Sequence, residues 1–497
     1  MAIKMDPTRP SRRSARAIYA VPVVLAALTV ISAALQIMVI PLLGTIGRSL
    51  HEAPTAVAWA LIGGQLAGAA TTPLFGRLGD LVGHRRVLLG IVGLMALGSA
   101  IGAVAQSLAL LIVARALQGM GAGATALALA TVRQVMPERL QHRSIGLISC
   151  GAGVGVGLGF IVGGVLHDWH GAFWISLAAC AMIAAATVIV VPNVEGTARQ
   201  SGLKVRGVLD VRGACLLASA LVALLLPISE GTNWGWHSTQ VLVLFALAAV
   251  LLVAFAVVEL RRADPLVDLR LLSRAPVLLT NTTSLLFGIC MGAGFLLWVG
   301  FAETPSVLGY GFGASALAAG VFLLPNAIAV LLVAPIAGAV AKRITPGPVL
   351  MTGMGLGIVT FALLSVGHTH QWQLYLGSAA WGTAVALGMV ALFLLVSESV
   401  PADRAGSALS ITTLGQAIGT AVGSAVFTAI LSAKYIPHTP VPAASGYTHS
   451  FVAAALFAAV ALLTATAAVI LTRTSKARVT TPQTTSAPAP AGATALP

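Results

Sequence analysis

Residues 76–86, GRLGDLVGHRR, bring one carboxylate and several cationic side chains into a short stretch between two long apolar runs. Asp80 is an ionised acceptor for N–H groups, and Arg85 and Arg86 are permanently charged donors. The glycines of the stretch permit a tight chain reversal and a close approach of helices: Gly76, Gly79 and Gly83. Charges in such a turn indicate either a specific charge contact or residues that only flank a membrane on its basic side.

A second candidate site is RALQGMGAG, residues 115–123, which carries a charge inside an otherwise apolar run. An arginine deep in a membrane costs about 2.5 to 3.5 kcal/mol or more unless a cavity or a partner receives it. Gln118 shares the helix face of Arg115, and Gly119 keeps that face open. We therefore expect Arg115 to face a central cavity. The alternative is a structural arginine that donates to backbone carbonyls.

Composition identifies the elements that must hold these residues. Hydrophobic residues make up 58% of the 497 residues, charged residues 8%, and the mean hydropathy is +0.96, which is too apolar for a water-soluble globule. Runs of about 20 or more apolar residues match the roughly 30 Å hydrocarbon core of a bilayer. Fourteen transmembrane helices are predicted, at residues 20–43, 55–75, 86–106, 109–131, 143–166, 172–191, 213–228, 239–259, 277–300, 314–337, 347–367, 373–396, 405–431 and 450–471.

The basic residues set the predicted orientation. All 28 Lys and Arg residues except Arg48, Lys434 and Arg115 fall on one side of the membrane when the N-terminus is cytoplasmic. The positive-inside rule therefore predicts a multi-pass protein of the plasma (inner) membrane with both termini in the cytoplasm. The formal charge of +14 is explained by this topology and by anionic lipid headgroups, so nucleic acid is not an expected partner.

An internal repeat relates the first six predicted helices to the last six. Gly76 recurs as Gly338, 262 residues later, and glycines between residues 146 and 163 recur 260 residues later. The second copy has Lys342 where the first has Asp80. Parallel repeats of this kind are typical of alternating-access transporters, which bind substrate between the halves.

The repeat gives the predicted organisation of the chain. The fold class is an all-α membrane protein with fourteen transmembrane helices, arranged as two six-helix bundles plus a central helix pair. The units are a cytoplasmic N-terminal segment 1–19, an N-terminal bundle 20–191, the central pair 213–259, a C-terminal bundle 277–471 and a disordered cytoplasmic tail 472–497.

Together these motifs resemble the major facilitator superfamily, specifically its fourteen-helix drug:proton antiporter branch. The turn 76–86 is similar to the signature between the second and third helices, RALQGMGAG to that of the fourth helix, and GAGVGVGLGFIVGG to that of the fifth. The resemblance implies that Asp80 engages a helix end of the opposing bundle in a gating turn, and that Arg115 serves proton coupling or substrate binding. It also implies a close-packed glycine seam on the fifth helix: Gly151, Gly155, Gly159, Gly163 and Gly164.

Two positions depart from the family pattern. Phe160 replaces the proline that usually follows the third seam glycine, and Ser32 stands near the position where relatives typically carry an aspartate. Gln36 is the nearest strongly polar group, and an amide cannot carry a proton at physiological pH. Glu303, near the outer end of the ninth predicted helix, is therefore the candidate for coupling. The alternative is an ordinary loop charge.

The predicted function is a secondary transporter that exports amphipathic small molecules, such as antibiotics, with protons as the coupling ion. It is expected not to be an enzyme, because no nucleotide-binding loop and no catalytic or metal-ligating cluster is present in the sequence. No cofactor or metal is expected, and the protein is expected to be a monomer in the bilayer. The charge of Arg115, without a first-helix carboxylate, favours neutral or anionic substrates. The alternatives are a uniporter or importer of a metabolite and, from another class, a membrane receptor or enzyme without transport.

Overall fold

The structure is a computed structural model that describes residues 12–52, 54–166, 168–194, 211–262, 269–273, 275–367, 369–400, 405–433 and 441–480. These residues form eighteen α-helices: α1 Arg12–Ile37, α2 Leu43–Leu50, α3 Pro54–Val82, α4 His84–Ala103, α5 Leu108–Gly119, α6 Gly123–Val135, α7 Glu138–Val165, α8 Trp169–Val190, α9 Val211–Trp234, α10 Thr239–Leu260, α11 Leu269–Leu272, α12 Ala275–Glu303, α13 Ala316–Phe322, α14 Leu324–Ile344, α15 Pro346–Val366, α16 Gln371–Ser399, α17 Ala405–Ser432 and α18 Ala444–Thr480. Lys434 and residues 481–497 of the predicted tail lie outside the described residues.

Chain reversals are short because the sequence supplies caps and a glycine where the helices begin. The side chain of Ser107 accepts a hydrogen bond from Leu110 N–H at the start of α5, at 3.4 Å. The carboxylate of Asp168 does the same for two N–H groups at the start of α8. These contacts satisfy donors that a helix start leaves unpaired. Gly83 alone separates α3 from α4, with φ of 107°, a conformation that favours glycine.

Twelve helical spans of the described residues are long and apolar enough to cross a membrane. The predicted count of fourteen is not supported by this test, because α3 and α9 are not among the twelve. Both helices are present, with 29 and 24 residues. Glycines and polar residues such as Gln65 and Thr72 dilute the apolar character of α3, and in α9 only Arg212–Ile228 forms an apolar stretch.

The predicted repeat corresponds to equivalent packing in the two halves. On α3, Gly76 lies against the backbone of Gly406 at the start of α17, and on α14 its counterpart Gly338 lies against the backbone of His142 near the start of α7. In both halves a glycine-rich helix packs on the first helix of its own bundle. These pairs are α7 with α1 and α17 with α12.

Two helix pairs form the main contacts between the halves, α3 with α17 and α7 with α14. The helices α9 and α10 pack on each other, and α9 also contacts both α3 and α17. The central pair therefore lies beside one of the two interfaces between the halves. We name the end of the bundle that carries Asp80 the Asp80 end.

Candidate functional site

The turn 76–86 positions Asp80 at the start of a helix from the other half. Its carboxylate accepts hydrogen bonds from Gly406 N–H at 3.1 Å, Ser407 N–H at 2.9 Å and Ser407 Oγ–H at 2.7 Å. Asp80 is 1% exposed, and its Oδ1 lies 3.1 Å from His84 Nε2. An anion at the N-terminus of α17 meets unpaired N–H groups and the positive end of the helix dipole. The carboxylate therefore binds the two halves together at this end.

The rest of the turn supports that geometry. A Cβ on Gly76 would lie 2.7 Å from Gly406 O, so a larger residue would separate α3 from α17. Arg85 donates a hydrogen bond to Val188 O at 2.5 Å, and the next residue, Arg86, is half-buried. The turn thus holds α3, α4 and α8 together on its own side while Asp80 reaches across.

A further contact between the halves was not found from the sequence. Arg133, in the last turn of α6, donates to the carbonyl of Ser397 and, at 2.8 Å, to the carbonyl of Val400, at the C-terminal end of α16. A cation there satisfies carbonyls that the helix end leaves unpaired. His142 Nε2 lies 3.3 Å from Glu398 Oε1 at the same end. The signal available in the sequence was a basic residue at the end of an apolar helix.

The repeat places Lys342 at the position equivalent to Asp80, and its contact is of another kind. Lys342 Nζ donates to Arg139 O at 3.2 Å, at the start of α7. The ammonium group is exposed, and its positive charge lies at the positive end of the α7 dipole. The two charges are therefore not complementary. The two equivalent positions therefore both reach the opposing half, but only Asp80 is matched to the helix end that it meets.

Arg115 does not face a cavity, contrary to the expectation from the sequence. It is 2% exposed, and its guanidinium donates to Leu35 O at 2.7 Å, Gln36 O at 2.9 Å and Gln118 Oε1 at 2.7 Å. The last residues of α1 have unpaired carbonyls, and these provide the partners that a buried arginine requires. This arrangement is the stated alternative, a structural arginine that donates to backbone carbonyls. The sequence did not favour it, because the partners are backbone atoms of a helix about 80 positions earlier.

The neighbours of Arg115 are equally buried and bring α5 close to α3 and α4. Gln118 Nε2 donates to Ser99 Oγ at 2.9 Å, so its amide bridges Arg115 and α4. Gly119 lies directly against the backbone of Gly64, with no room for a Cβ. A Cβ on Gly64 would lie 3.8 Å from a terminal nitrogen of Arg115. The guanidinium therefore sits immediately behind the wall that Gly64 forms.

That wall belongs to a cavity of about 500 Å³ between α3 and α17. Its polar side chains are amides and hydroxyls, and no described residue that lines it is ionisable. The polar residues are Gln36, Gln65, Thr72, Thr413, Thr420, Ser424 and Thr428. The volume is within the range of about 300 to 1,000 Å³ that is typical of small-molecule sites. The cavity can therefore hold a molecule with both apolar and neutral polar groups.

Of the predicted cavity and coupling residues, Gln36 lines this cavity and Gly119 lies just behind it. Glu303 does not, because it is the last residue of α12 and is exposed. Ser32, near the expected aspartate position, is buried and donates to Gly121 O at 2.7 Å. A buried carboxylate is found in the central helix pair instead, where Glu230 of α9 is 5% exposed. The span predicted from the sequence ends at residue 228 and therefore does not include Glu230.

The predicted glycine seam brings α7 against α1 of its own bundle. A Cβ on Gly151 would lie 2.8 Å from Ala26 O, and one on Gly159 would lie 2.8 Å from Ala34 O. The backbones are thus in contact, as small-residue packing allows. Gly155 makes an equivalent approach to α1, Gly163 lies against the backbone of Met38 just after α1, and Gly164 is half-buried. The seam holds one bundle together and does not line the cavity.

The fold and the cavity define a multi-pass membrane protein with two similar bundles and a ligand-sized space between them. Residues 25–424 match the family model of the Major Facilitator Superfamily, and the chain belongs to this family. Family membership indicates a transporter rather than an enzyme. The match extends from α1 into α17 and includes the central pair.

Several bacterial proteins are similar to this chain in sequence. An uncharacterized MFS-type transporter of Mycobacterium tuberculosis (strain ATCC 25618 / H37Rv) is 32% identical over 402 residues, which cover 77% of this chain and 55% of the relative. The chain thus spans about half the length of that relative. Multidrug resistance protein Stp of M. tuberculosis (strain CDC 1551) is 29% identical, covering 79% of this chain and 73% of the relative. The tetracenomycin C resistance and export protein of Streptomyces glaucescens is 27% identical with the same coverage.

Among solved structures, the crystal structure of the human organic anion transporter MFSD10 (TETRAN) has a TM-score of 0.62 to this chain. The two are 17% identical, and the match covers 90% of this chain and 99% of the other. At this identity the likeness concerns the fold alone.

Proposed function

We propose that this chain is a secondary transporter that exports amphipathic small molecules by alternating access. The observation that carries the proposal is the cavity of about 500 Å³ between α3 and α17, with amide and hydroxyl groups but no ionisable lining residue among those described. Toward the Asp80 end, the contacts of Gly76 and Asp80 with Gly406 close the space between the same two helices. A cavity between two similar bundles, closed at one end, fits alternating access.

Similar proteins of named function support an antibiotic-like substrate class. Two relatives are named for multidrug resistance and for resistance to and export of tetracenomycin C. Export of neutral, amphipathic compounds of this kind matches the uncharged lining of the cavity. An apolar wall with a few polar groups selects by shape and apolar area, so several compounds can share it.

The proposed topology has fourteen spans, with the Asp80 end and both termini in the cytoplasm of a plasma membrane. The basic residues support this orientation through the positive-inside rule. For α9, a helix of 24 residues is about 36 Å long at 1.5 Å per residue, which exceeds the hydrocarbon core. For α3, 29 residues and close contacts with α5 and α17 support a span.

Proton coupling needs a group that changes its protonation during the cycle. Glu230 is buried within α9, two residues from Ile228 of the cavity wall, whereas Glu303 is exposed at the end of α12. We propose that one of these carboxylates carries the coupled proton. In this proposal Arg115, Gln118 and Gly119 fix α1, α4 and α3 around the cavity.

The test is efflux from a bacterium that lacks its own exporters, with Nile red and chloramphenicol as neutral probes and tetraphenylphosphonium as a cationic probe. We expect the two neutral probes to be expelled and a protonophore to stop their export. Export that survives the protonophore would identify a uniporter, and probe accumulation an importer. Glu230→Gln and Glu303→Gln are then compared, and the coupling variant loses uphill export while it retains downhill exchange.

The charge of Arg115 predicts a preference among substrates. A cation about 8 Å from the guanidinium is repelled by roughly 2 kcal/mol at an effective dielectric near 20, a discrimination of over tenfold. We therefore expect Arg115→Ala to impair export of an anionic compound such as novobiocin more than export of chloramphenicol. Wild-type export of tetraphenylphosphonium at rates similar to those of the neutral probes would refute the charge argument.

A further inference from the structure

The central helix α9 packs on both helices of the α3/α17 interface. Leu217 and Leu221 of α9 are buried in one apolar cluster with Ala69 of α3 and Leu414 of α17. With Phe255 of α10, the cluster joins four helices that belong to three different units of the chain. A helix that only linked the bundles would not need an apolar face matched to both of them.

Two side chains of α9 continue from this cluster into the cavity wall. Leu225 is 5% exposed and Ile228 is half-buried, and both line the cavity together with Leu66, Ala69 and Ala421 of the flanking helices. The hydroxyl groups of the lining come mainly from α17. The α9 side of the wall is therefore aliphatic, and the α17 side carries most of the polar groups.

We propose that Leu225 and Ile228 contact the transported molecule and determine which molecules fit, so that the central helix pair is part of the substrate site. This inference rests on the proposed export function for the identity of the substrate. The position of the two side chains in the cavity wall does not depend on that function. The aliphatic wall receives the apolar face of a neutral amphipathic substrate, while the hydroxyls of α17 receive its polar groups. The neighbouring Val222 is 37% exposed and does not line the cavity, so it provides a matched control on the same helix.

The first test is the reactivity of introduced thiols in membranes that contain the full chain. The background is Cys215→Ser, because Cys215 is exposed on α9 whereas the other three cysteines are buried. In that background, Leu225→Cys and Ile228→Cys are expected to react with a water-soluble maleimide at least tenfold faster than Val222→Cys, because a thiol in lipid is neither hydrated nor ionised. Equal rates at the three positions would overturn the assignment, whether or not transport is detected.

The second test is substrate selectivity. Ile228→Ala enlarges the cavity and Ile228→Phe reduces it, so the ratio of Nile red to chloramphenicol export should change in opposite directions, by about tenfold between the two variants. Val222→Ala and Val222→Phe should leave the ratio unchanged. A constant ratio at Ile228, with normal membrane levels, would overturn the inference. A wild-type protein that exports neither probe would instead refute the proposed function, and the thiol rates would then decide the position of α9.

Discussion

The two interfaces between the halves are built from equivalent helices, yet one is filled and the other holds the cavity. At the α7/α14 interface, a Cβ on Gly153 would lie 2.8 Å from Val330 Cγ1, and one on Gly157 would lie 3.2 Å from Ala327 Cβ. Only a space of about 20 Å³ remains beside these residues. At the α3/α17 interface the two helices are in close contact at Gly76. Farther along they separate and enclose the cavity of about 500 Å³.

The difference can be traced to single positions of the repeat. At a displacement of 260 residues, Gly153 and Gly157 correspond to Thr413 and Ala417, both of which line the cavity. A glycine lets helices come into backbone contact, whereas a side chain at the same position keeps them apart. On the facing helix Ala327 of α14 corresponds to Gln65 of α3, another lining residue. At these three positions the residue that lines the cavity is larger than its counterpart in the filled interface, and two of the three are polar.

The largest effect is expected where the α3/α17 interface is closed. Asp80→Asn keeps the volume but removes the charge that accepts three hydrogen bonds, and each such bond to a charged group is worth about 1.5 to 3 kcal/mol. We expect export to fall more than tenfold while membrane insertion stays normal. Efflux rates, normalised to the fluorescence of a fused reporter, provide the measurement. Export at the wild-type rate would show that this contact does not control the cycle.

An exchange of residues between the two interfaces tests the comparison directly. Gly153→Thr places a side chain in the filled interface, and overpacking of this kind costs about 1 to 3 kcal/mol. The reciprocal Thr413→Gly removes a side chain from the cavity wall and should cost only a few tenths of a kcal/mol in helix propensity, on the order of 0.3. The apparent melting temperatures of the two detergent-solubilised variants should therefore differ clearly. Similar losses in both variants would contradict the assignment of filled and open interfaces.

The smallest effect is expected at the second-half counterpart of Asp80. The ammonium group of Lys342 is exposed and contacts one carbonyl, Arg139 O, at 3.2 Å. Exposed charges of this kind contribute little, so Lys342→Gln should change export less than twofold. The same efflux assay serves, with Asp80→Asn as the internal reference. A loss as large as that of Asp80→Asn would mean that the two ends of the repeat act alike.

Much of the fold could be predicted from the sequence because membrane helices are recognisable by their apolar composition. The all-α class and the repeat were accessible from residue types and spacing, whereas the contact of Asp80 with a helix start of the opposite half was implied only by the family resemblance. The span count was less secure, because α3 and α9 mix apolar residues with glycine and polar groups. Their assignment as spans depends on what packs around them, which a hydropathy pattern does not contain.

The candidate site was harder to predict because its decisive partners are backbone atoms or distant helices. Arg115 was expected in the cavity, but the carbonyls of Leu35 and Gln36 satisfy it inside the first bundle. Arg133 finds its partners 264 and 267 residues away, at the end of α16. The cavity itself depends on which of two equivalent interfaces is filled, and that becomes visible only when the halves are aligned in space.

One ring contact links the central helix α9 to the first bundle. Trp59 of α3 and Trp234 of α9 have ring centroids 6.5 Å apart, and an aromatic pair is worth about 0.5 to 1.5 kcal/mol beyond its buried area. The contacts of α9 with α17, by contrast, are aliphatic. In the proposed cycle α9 and α10 therefore travel with the first bundle, while α17 slides along them. With the fourteen spans proposed above, eight membrane helices would move against six, although the two repeats contribute six helices each.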